Sequence, residues 1–418
     1  MIRPFYSLVM SGVQPFLRHK LRRRGVAEPG YLQHVNERFG RYPGRSDAGR
    51  IWVHAVSLGE TRAAAILLEH LRAQEPGVRV LLTHGTATGR AEGERLLRPG
   101  DAQAWLPWDT PHAVGRFLQH FRPRIGVLME TEVWPNLAAG CAQQGVPLVL
   151  ANARLSEKSM RQALRLARLS RPAYGALASS WAQTEADARR LVRVGAAVGG
   201  VFGNLKFDAT PDPDQLARGR QWRRPGRPVV MFASSREGEE QALFEALGAD
   251  GNLAGGVQWL VVPRHPQRFD EVAALAGQHG LTVSRRSSWS DEPQPADVWL
   301  GDSLGEMALY YGLAHAALLG GSFEPLGGQN LIEAAASGCP VVMGPHTFNF
   351  ADAAQLAEDA GAALRAETLV QGIQISVAVA ADGQRQAEAA AAGLSFAAAH
   401  RGAAQKTAAA VLTLVGSR

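Results

Sequence analysis

The apolar positions of this 418-residue chain gather into short unbroken runs, separated by stretches of helical periodicity. Runs at 51–56 (IWVHAV), 78–83 (VRVLLT), 125–129 (IGVLM), 147–151 (PLVLA) and 180–183 form one series. A second series follows at 228–233 (PVVMFA), 257–262 (VQWLVV), 297–300 (DVWL), 315–319 (HAALL) and 340–343 (PVVM). Strands that are apolar on both faces belong to parallel sheets covered by helices on each side. The pattern predicts an α/β chain of two doubly wound, Rossmann-like domains facing a cleft, which the length accommodates. Residues 207–228 concentrate proline, glycine and charge and read as an interdomain linker, leaving domains at 25–206 and 229–418. The tail from Gln384 to Leu414 is Ala-rich and helical, with breaks expected at Gly393 and Gly402.

Residues 1–24 form a segment of their own. Ile2, Phe5, Tyr6, Val9, Val13, Phe16 and Leu17 recur at steps of three and four, one stripe of a helix that Pro15 bends or ends. The uncharged stretch from Pro4 to Leu17 falls short of the roughly 20 residues a membrane-spanning helix needs. A signal peptide fits poorly, because the basic cluster Arg18–Arg24 follows the apolar stretch. Two readings stand side by side: an amphipathic anchor for an anionic leaflet, or a helix docked on its own domain. With no export signal, the body is expected in the cytoplasm.

Composition sharpens this picture. Lysine and arginine number 44 against 38 acids, and the excess lies in Arg3, Arg18, Lys20, Arg22, Arg23 and Arg24. The remaining chain is neutral, which disfavours a nucleic-acid binder. Cys141 and Cys339 sit beside Gly or Pro in apolar surroundings and are expected to be buried thiols. The 12 histidines show no HExxH and no zinc spacing, so no metal is expected.

Candidate chemistry lies where strands hand over to helices. In HAVSLGE (54–60), Ser57 and Glu60 form an S-x-x-E capping box, the reading the pattern favours, and Glu60 also faces the expected cleft, where the helix dipole would keep it ionised as a general base needs. THGTATG (83–89) is either an anion-binding loop or a tight turn with threonine caps. METEVWPN (129–136) ends a strand with Glu130 and Glu132, which alternation points to one side; Glu132 is a candidate cap for the helix that Trp134-Pro135 opens. GNLKFD (203–208) puts Lys206 at the boundary.

In the second series, ASSREGEE (233–240) opens a helix, with Glu239 and Glu240 complementing its dipole. PRHPQRF (263–269) pins Arg264 and His265 between prolines, and GDSLGEMALYY (301–311) follows the next strand. The stretch 320–350 combines a glycine-rich loop with a helix opened by Asn330 and carrying Glu333, a pattern that offers amides to phosphate and a carboxylate to ribose hydroxyls. The same pair also reads as a capping box.

Together HAVSLGE, METEVWPN, ANARLSEKS, GNLKFD, PRHPQRF, SLGEM and FEPLGGQNLIEA resemble, in order over roughly residues 50–350, the 3-deoxy-D-manno-octulosonic acid (Kdo) transferases, glycosyltransferases of the GT-B class. The family more often has PRHPERF and GGHN where this chain has Gln267 and Gln329, and Thr-His where it has Ser235-Arg236. The resemblance implies inverting, metal-independent transfer of Kdo from CMP-Kdo to lipid IVA in lipopolysaccharide synthesis, at the cytoplasmic face of the inner membrane, without a cofactor. Carried over, Glu60 is the base, and Glu130 and Lys206 support the transition state. Arg264, His265, Gly305, Glu306, Met307, Asn330, Leu331, Ile332 and Glu333 match the CMP-binding segments. The alternatives are a GT-B transferase or epimerase using a UDP-sugar, and a two-domain binding protein without chemistry.

Overall fold

The computed structural model describes residues 2–44, 47–249 and 256–416. The chain divides into two compact units, one of residues up to Asp208 together with those from Arg401, the other Ala209–His400. The first unit holds strands β1 (Ile51–His54), β2 (Val80–His84), β3 (Ala102–Trp105), β4 (Ile125–Met129), β5 (Leu148–Ala153), β6 (Ser179–Ala182) and β7 (Val198–Val201). The second holds β8 (Val229–Ser235), β9 (Gln258–Pro263), β10 (Val283–Arg285), β11 (Val298–Leu300), β12 (Ala316–Leu319), β13 (Val341–Met343) and β14 (Ala363–Arg365). Their orders are β3-β2-β1-β4-β5-β6-β7 and β10-β11-β9-β8-β12-β13-β14. Every pairing is parallel.

Central strands such as β1 and β4 are buried at every position, the outcome expected for apolar runs covered on both faces. Each sheet has a point where the strand order reverses, and there the loops after neighbouring strands diverge and leave room for a ligand. In the first sheet that point lies between β1 and β4, with His54 in register with Leu128. In the second it lies between β8 and β12, with Ala233 opposite Leu319.

Three expected boundaries change. The segment 207–228 is not a free linker: it contains the Pro213–Gln221 helix, which packs on the Met307–Leu313 helix of the second unit. A Cβ at Gly219 would stand 2.2 Å from the Leu309 carbonyl oxygen, and one at Gly312 would stand 2.5 Å from that of Leu216. The glycine that suggested a linker therefore permits close helix contact. The domain expected at 229–418 stops short, because the Ala403–Gly416 helix packs on helix α3 (Leu58–Gln74) of the first unit. Ala403, Ala404, Ala408 and Val411 join Leu67, Leu68 and Leu71 in one buried cluster, and the Asp208 carboxylate accepts the Gly402 and Ala404 amides. Gly393 does not break the Gly383–Ala399 helix; it allows that helix to approach Ala335, whose Cα would lie 3.4 Å from an added Cβ. The break falls at Gly402, where φ is +104°.

The N-terminal stripe becomes two helices, α1 (Ile2–Gly12) and α2 (Gln14–Ala27), with Pro15 in the first turn of α2. Both readings of the segment have a physical counterpart. Helix α1 is docked: Tyr6 Oη donates to Asp109 Oδ2 at 2.9 Å, and Ser7 Oγ donates to Asn136 Oδ1 at 2.9 Å. It also exposes Phe5 (69%) and Leu8 (71%), and Phe16 follows in α2 at 75%. Among the described residues no helix is long and apolar enough to cross a membrane.

Candidate functional site

In the first unit Glu60 and Glu130 follow β1 and β4, the two strands at the order reversal. Ser57 caps α3, and its hydroxyl donates to Glu60 Oε1 at 3.1 Å, while the Val56 amide donates to Oε2 at 2.8 Å. The capping box is thus formed, and it fixes the carboxylate that the other reading needs as a base. The expectation that the helix dipole keeps Glu60 ionised is corrected. Half-burial raises its pKa to about 7, with Glu130 and Glu132 adding to the rise against the Val56 and Ser57 hydrogen bonds. Desolvation, with charge repulsion adding to it, outweighs these hydrogen bonds.

Glu130 follows β4 and takes φ +60°, a left-handed conformation costly for a side chain of this kind. It is held by its amide on the Ala151 carbonyl (3.0 Å) and by the Arg154 amide on its own carbonyl (3.2 Å). The simple alternation expected for Glu130 and Glu132 fails at this turn, yet the two acids and Glu60 influence one another electrostatically. Glu132 accepts the Trp134 indole N–H at 2.8 Å and is not the cap expected of it. The Pro135–Gln143 helix is capped from afar by Asp109, which accepts the Asn136 and Leu137 amides at 3.0 and 2.7 Å. Sequence reasoning missed Asp109, because its partner helix lies 27 positions away.

Lys206 lies on the single turn Leu205–Asp208, packed against α3 through buried Leu205. Asn152, also left-handed at φ +52°, accepts the Leu205 amide at 3.0 Å and so sets this turn beside the end of β5. The 83–89 loop is the threonine-capped turn: Thr86 accepts the Gly89 amide at 3.2 Å and donates to the Val56 carbonyl at 3.0 Å.

In the second unit the candidate segments follow four adjacent strands, β11, β9, β8 and β12. Arg264 donates its amide to the Ser235 carbonyl (3.0 Å) and Nε–H to Gln329 Oε1 (3.2 Å), which ties the end of β9 to the end of β8 and the loop after β12. His265 has its pKa lowered by burial and by Arg236, which favours the neutral ring. Gly305 takes φ +82° and its carbonyl accepts from Gln215 at 3.0 Å. Glu306 pairs with Arg286 at 2.7 Å, and Met307 begins the next helix. Asn330 caps the Leu331–Ala336 helix by accepting the Ile332 amide at 3.2 Å. Leu331 and Ile332 have buried side chains, so they support the loop by packing, while half-buried Glu333 stands one turn in.

The residue that sequence reasoning undervalued is Glu239, read only as a complement to a helix dipole. Its buried carboxylate accepts the amides of Arg236 (2.9 Å), Gly321 (2.7 Å), Phe323 (3.2 Å) and Glu324 (3.4 Å), pinning the glycine-rich loop after β12 to the loop after β8. Beside it Glu240 accepts from Ser235 at 2.8 Å and pairs with buried Arg268 at 2.9 Å. Among the described residues no three histidine, cysteine or acidic side chains are grouped as metal ligands. Burial pushes both thiols up to about 12, as expected of inert cysteines.

Comparison with known proteins supplies the family. Residues 33–209 match the family described as 3-deoxy-D-manno-octulosonic-acid transferase (kdotransferase). A 3-deoxy-D-manno-octulosonic acid transferase of Bordetella pertussis is 48% identical over 419 residues, 97% of each chain. One of Haemophilus influenzae is 31% identical over 84% of each. In fold, the chain is similar to the solved UDP-GlcNAc 2-epimerase from Neisseria meningitidis (TM-score 0.55, 13% identity, 88% of this chain and 100% of that one). The two parallel sheets have the GT-B architecture, and the extent of the sequence match decides among its members: the chain belongs to the Kdo transferase family.

Proposed function

We propose that this glycosyltransferase moves Kdo from CMP-Kdo to lipid IVA, with inversion and without a metal ion, and that Glu60 is the general base. The observation that carries the base assignment is the Glu60 carboxylate itself, fixed by Val56 and Ser57 at the end of β1 and raised to about 7. A carboxylate with that proton affinity is matched to a sugar hydroxyl at neutral pH. As the hydroxyl oxygen bonds to the anomeric carbon, its proton passes to Glu60. The bond from that carbon to the CMP phosphate oxygen breaks, and its electron pair leaves with the phosphate. Lys206 and Arg264 supply positive charge for the growing phosphate anion and the Kdo carboxylate. Glu130 disfavours ionisation of Glu60, adding to the burial that keeps its proton affinity high. Segments 305–307 and 330–333, with His265, hold the cytidylate.

The test is incubation of the full chain with CMP-Kdo and lipid IVA, followed by product mass. A product heavier by one or more Kdo residues is expected, with CMP displacing donor more effectively than UDP. No mass gain, or tighter binding of UDP, rejects the reading and favours a UDP-sugar enzyme.

The same reading assigns residues 1–24 to the cytoplasmic face of the inner membrane. Exposed Phe5, Leu8 and Phe16 would enter the lipid boundary while the Arg18–Arg24 cluster meets anionic headgroups. Replacing the three with serine is expected to weaken binding to phosphatidylglycerol vesicles by about tenfold per residue. Unchanged sedimentation with vesicles would remove the anchor from the proposal.

A further inference from the structure

The first unit contains a cavity of about 350 Å³ beneath α1 and α2 that the catalytic roles above do not use. Much of its wall is apolar, lined by Leu17 and Leu21 of α2 and by Leu106, Trp108 and Leu137 of the body. Three cations line it as well: Lys20 and Arg24 on α2, both exposed, and Arg38, which is only 3% exposed.

Arg38 is an unusual buried cation. Its guanidinium carbon lies 3.9 Å from the centre of the Trp105 ring, and one terminal nitrogen donates to the Gly85 carbonyl at 3.0 Å. Glu37, its neighbour in sequence, instead pairs with Arg90 at 2.9 Å and accepts the Trp105 amide at 2.8 Å. Among the described residues Arg38 has no carboxylate at ion-pair distance, and its Nε–H, like the Trp108 indole N–H, has no hydrogen-bond partner. A buried charge in this state is costly until an anion answers it.

The carboxylates that also line the cavity are already engaged. Asp109 accepts from Tyr6, Asn136 and Leu137, and Glu132 accepts from Trp134. The cavity also borders the candidate base, because Val56 lines it and gives its amide to Glu60.

We infer that this cavity binds an amphiphile through a phosphate monoester, with Arg38, Lys20 and Arg24 holding the phosphate and the walls of α2 and Trp108 holding the apolar part. The inference rests on the transfer reading above and makes the cavity the subsite for the phosphate-bearing end of the lipid acceptor. Arginine stacked on an indole presents its donors in a fixed plane, which suits a phosphate face. The apolar wall selects against free phosphate, and the cations select against a zwitterionic lipid.

The experiment uses the full chain with soluble dihexanoyl phosphatidic acid, dihexanoyl phosphatidylcholine and inorganic phosphate, read by calorimetry. Phosphatidic acid is expected to bind at least about tenfold tighter than either of the others. Arg38→Gln is expected to lose about tenfold in that affinity, and the Lys20→Ser, Arg24→Ser pair somewhat less. Leu17→Trp, which fills the cavity and removes no charge, should weaken binding too, so the inference stays testable if Arg38→Gln fails to fold. In the transfer assay phosphatidic acid should compete with lipid IVA and not with CMP-Kdo, and the variants should raise the acceptor KM.

Equal binding of phosphatidylcholine, wild-type affinity in the charge variants, or no competition with lipid IVA would each overturn the inference. Phosphatidic acid binding by a wild type that forms no Kdo product would overturn the transfer reading alone and support the ligand class of the cavity.

Discussion

Glu60→Gln is expected to lower kcat for Kdo transfer by about a thousandfold, within the range usual for loss of a general base, while CMP affinity stays within twofold of wild type. Glutamine keeps an oxygen for the Val56 amide and a group near Ser57, so α3 keeps its cap and the loss reads out chemistry. The pH profile separates this from a structural effect. With a proton affinity of about 7, the wild-type carboxylate is mostly protonated at pH 6, so kcat should rise with pH and level off above about 7. The variant should show no such limb. Stability should move the opposite way. A carboxyl raised from 4.5 to about 7 favours the folded state in its protonated form, a contribution fully present below 4.5 and lost as pH rises through about 7. The wild type should therefore lose stability relative to Glu60→Gln across that window, as followed by urea unfolding. Retained turnover in the variant would refute the base assignment.

Glu239→Ala is expected to destabilise the second unit by about 3–5 kcal/mol and to abolish CMP binding. Four backbone amides converge on that carboxylate, and alanine would leave them without the acceptor in a site too buried for easy solvation. Because Gly321, Phe323 and Glu324 belong to the glycine-rich loop, the loss falls on the segment leading to Asn330 and Glu333. Glu239→Gln, with one accepting oxygen in place of two, should fall between the two in both melting temperature and CMP affinity. A variant with wild-type CMP affinity would show that the loop holds its shape without this carboxylate.

The strands readable in the sequence and those that escaped it divide along a physical line. Every strand with a continuous apolar run was expected within a few residues. The four that were missed, β3, β7, β10 and β14, are the four sheet edges. An edge strand is paired on one side only and can be short and mixed in character: β7 is VGGV, and β10 is VSR with one buried residue. Periodicity reads burial, and these strands are incompletely buried.

Site residues divide similarly. Glu60, Glu130 and Arg264 stand out in the sequence because each follows a long apolar strand, where chemistry is expected. Glu239 and Asp109 were not, since what they do depends on partners 82 and 27 positions away. The tail was misassigned for the same reason: its alanine-rich face fits either unit, and only the buried cluster with Leu67 and Leu71 decides which.

That tail has a consequence for how the protein is made. The last helix fills a face of α3, which forms among the earliest residues of the chain, so the first sheet keeps an uncovered apolar flank throughout synthesis of everything from Ala209 to His400. The half that leaves the ribosome first must wait for the residues after His400 to complete its core, and in that interval it depends on its own partial packing or on a chaperone to shield that flank.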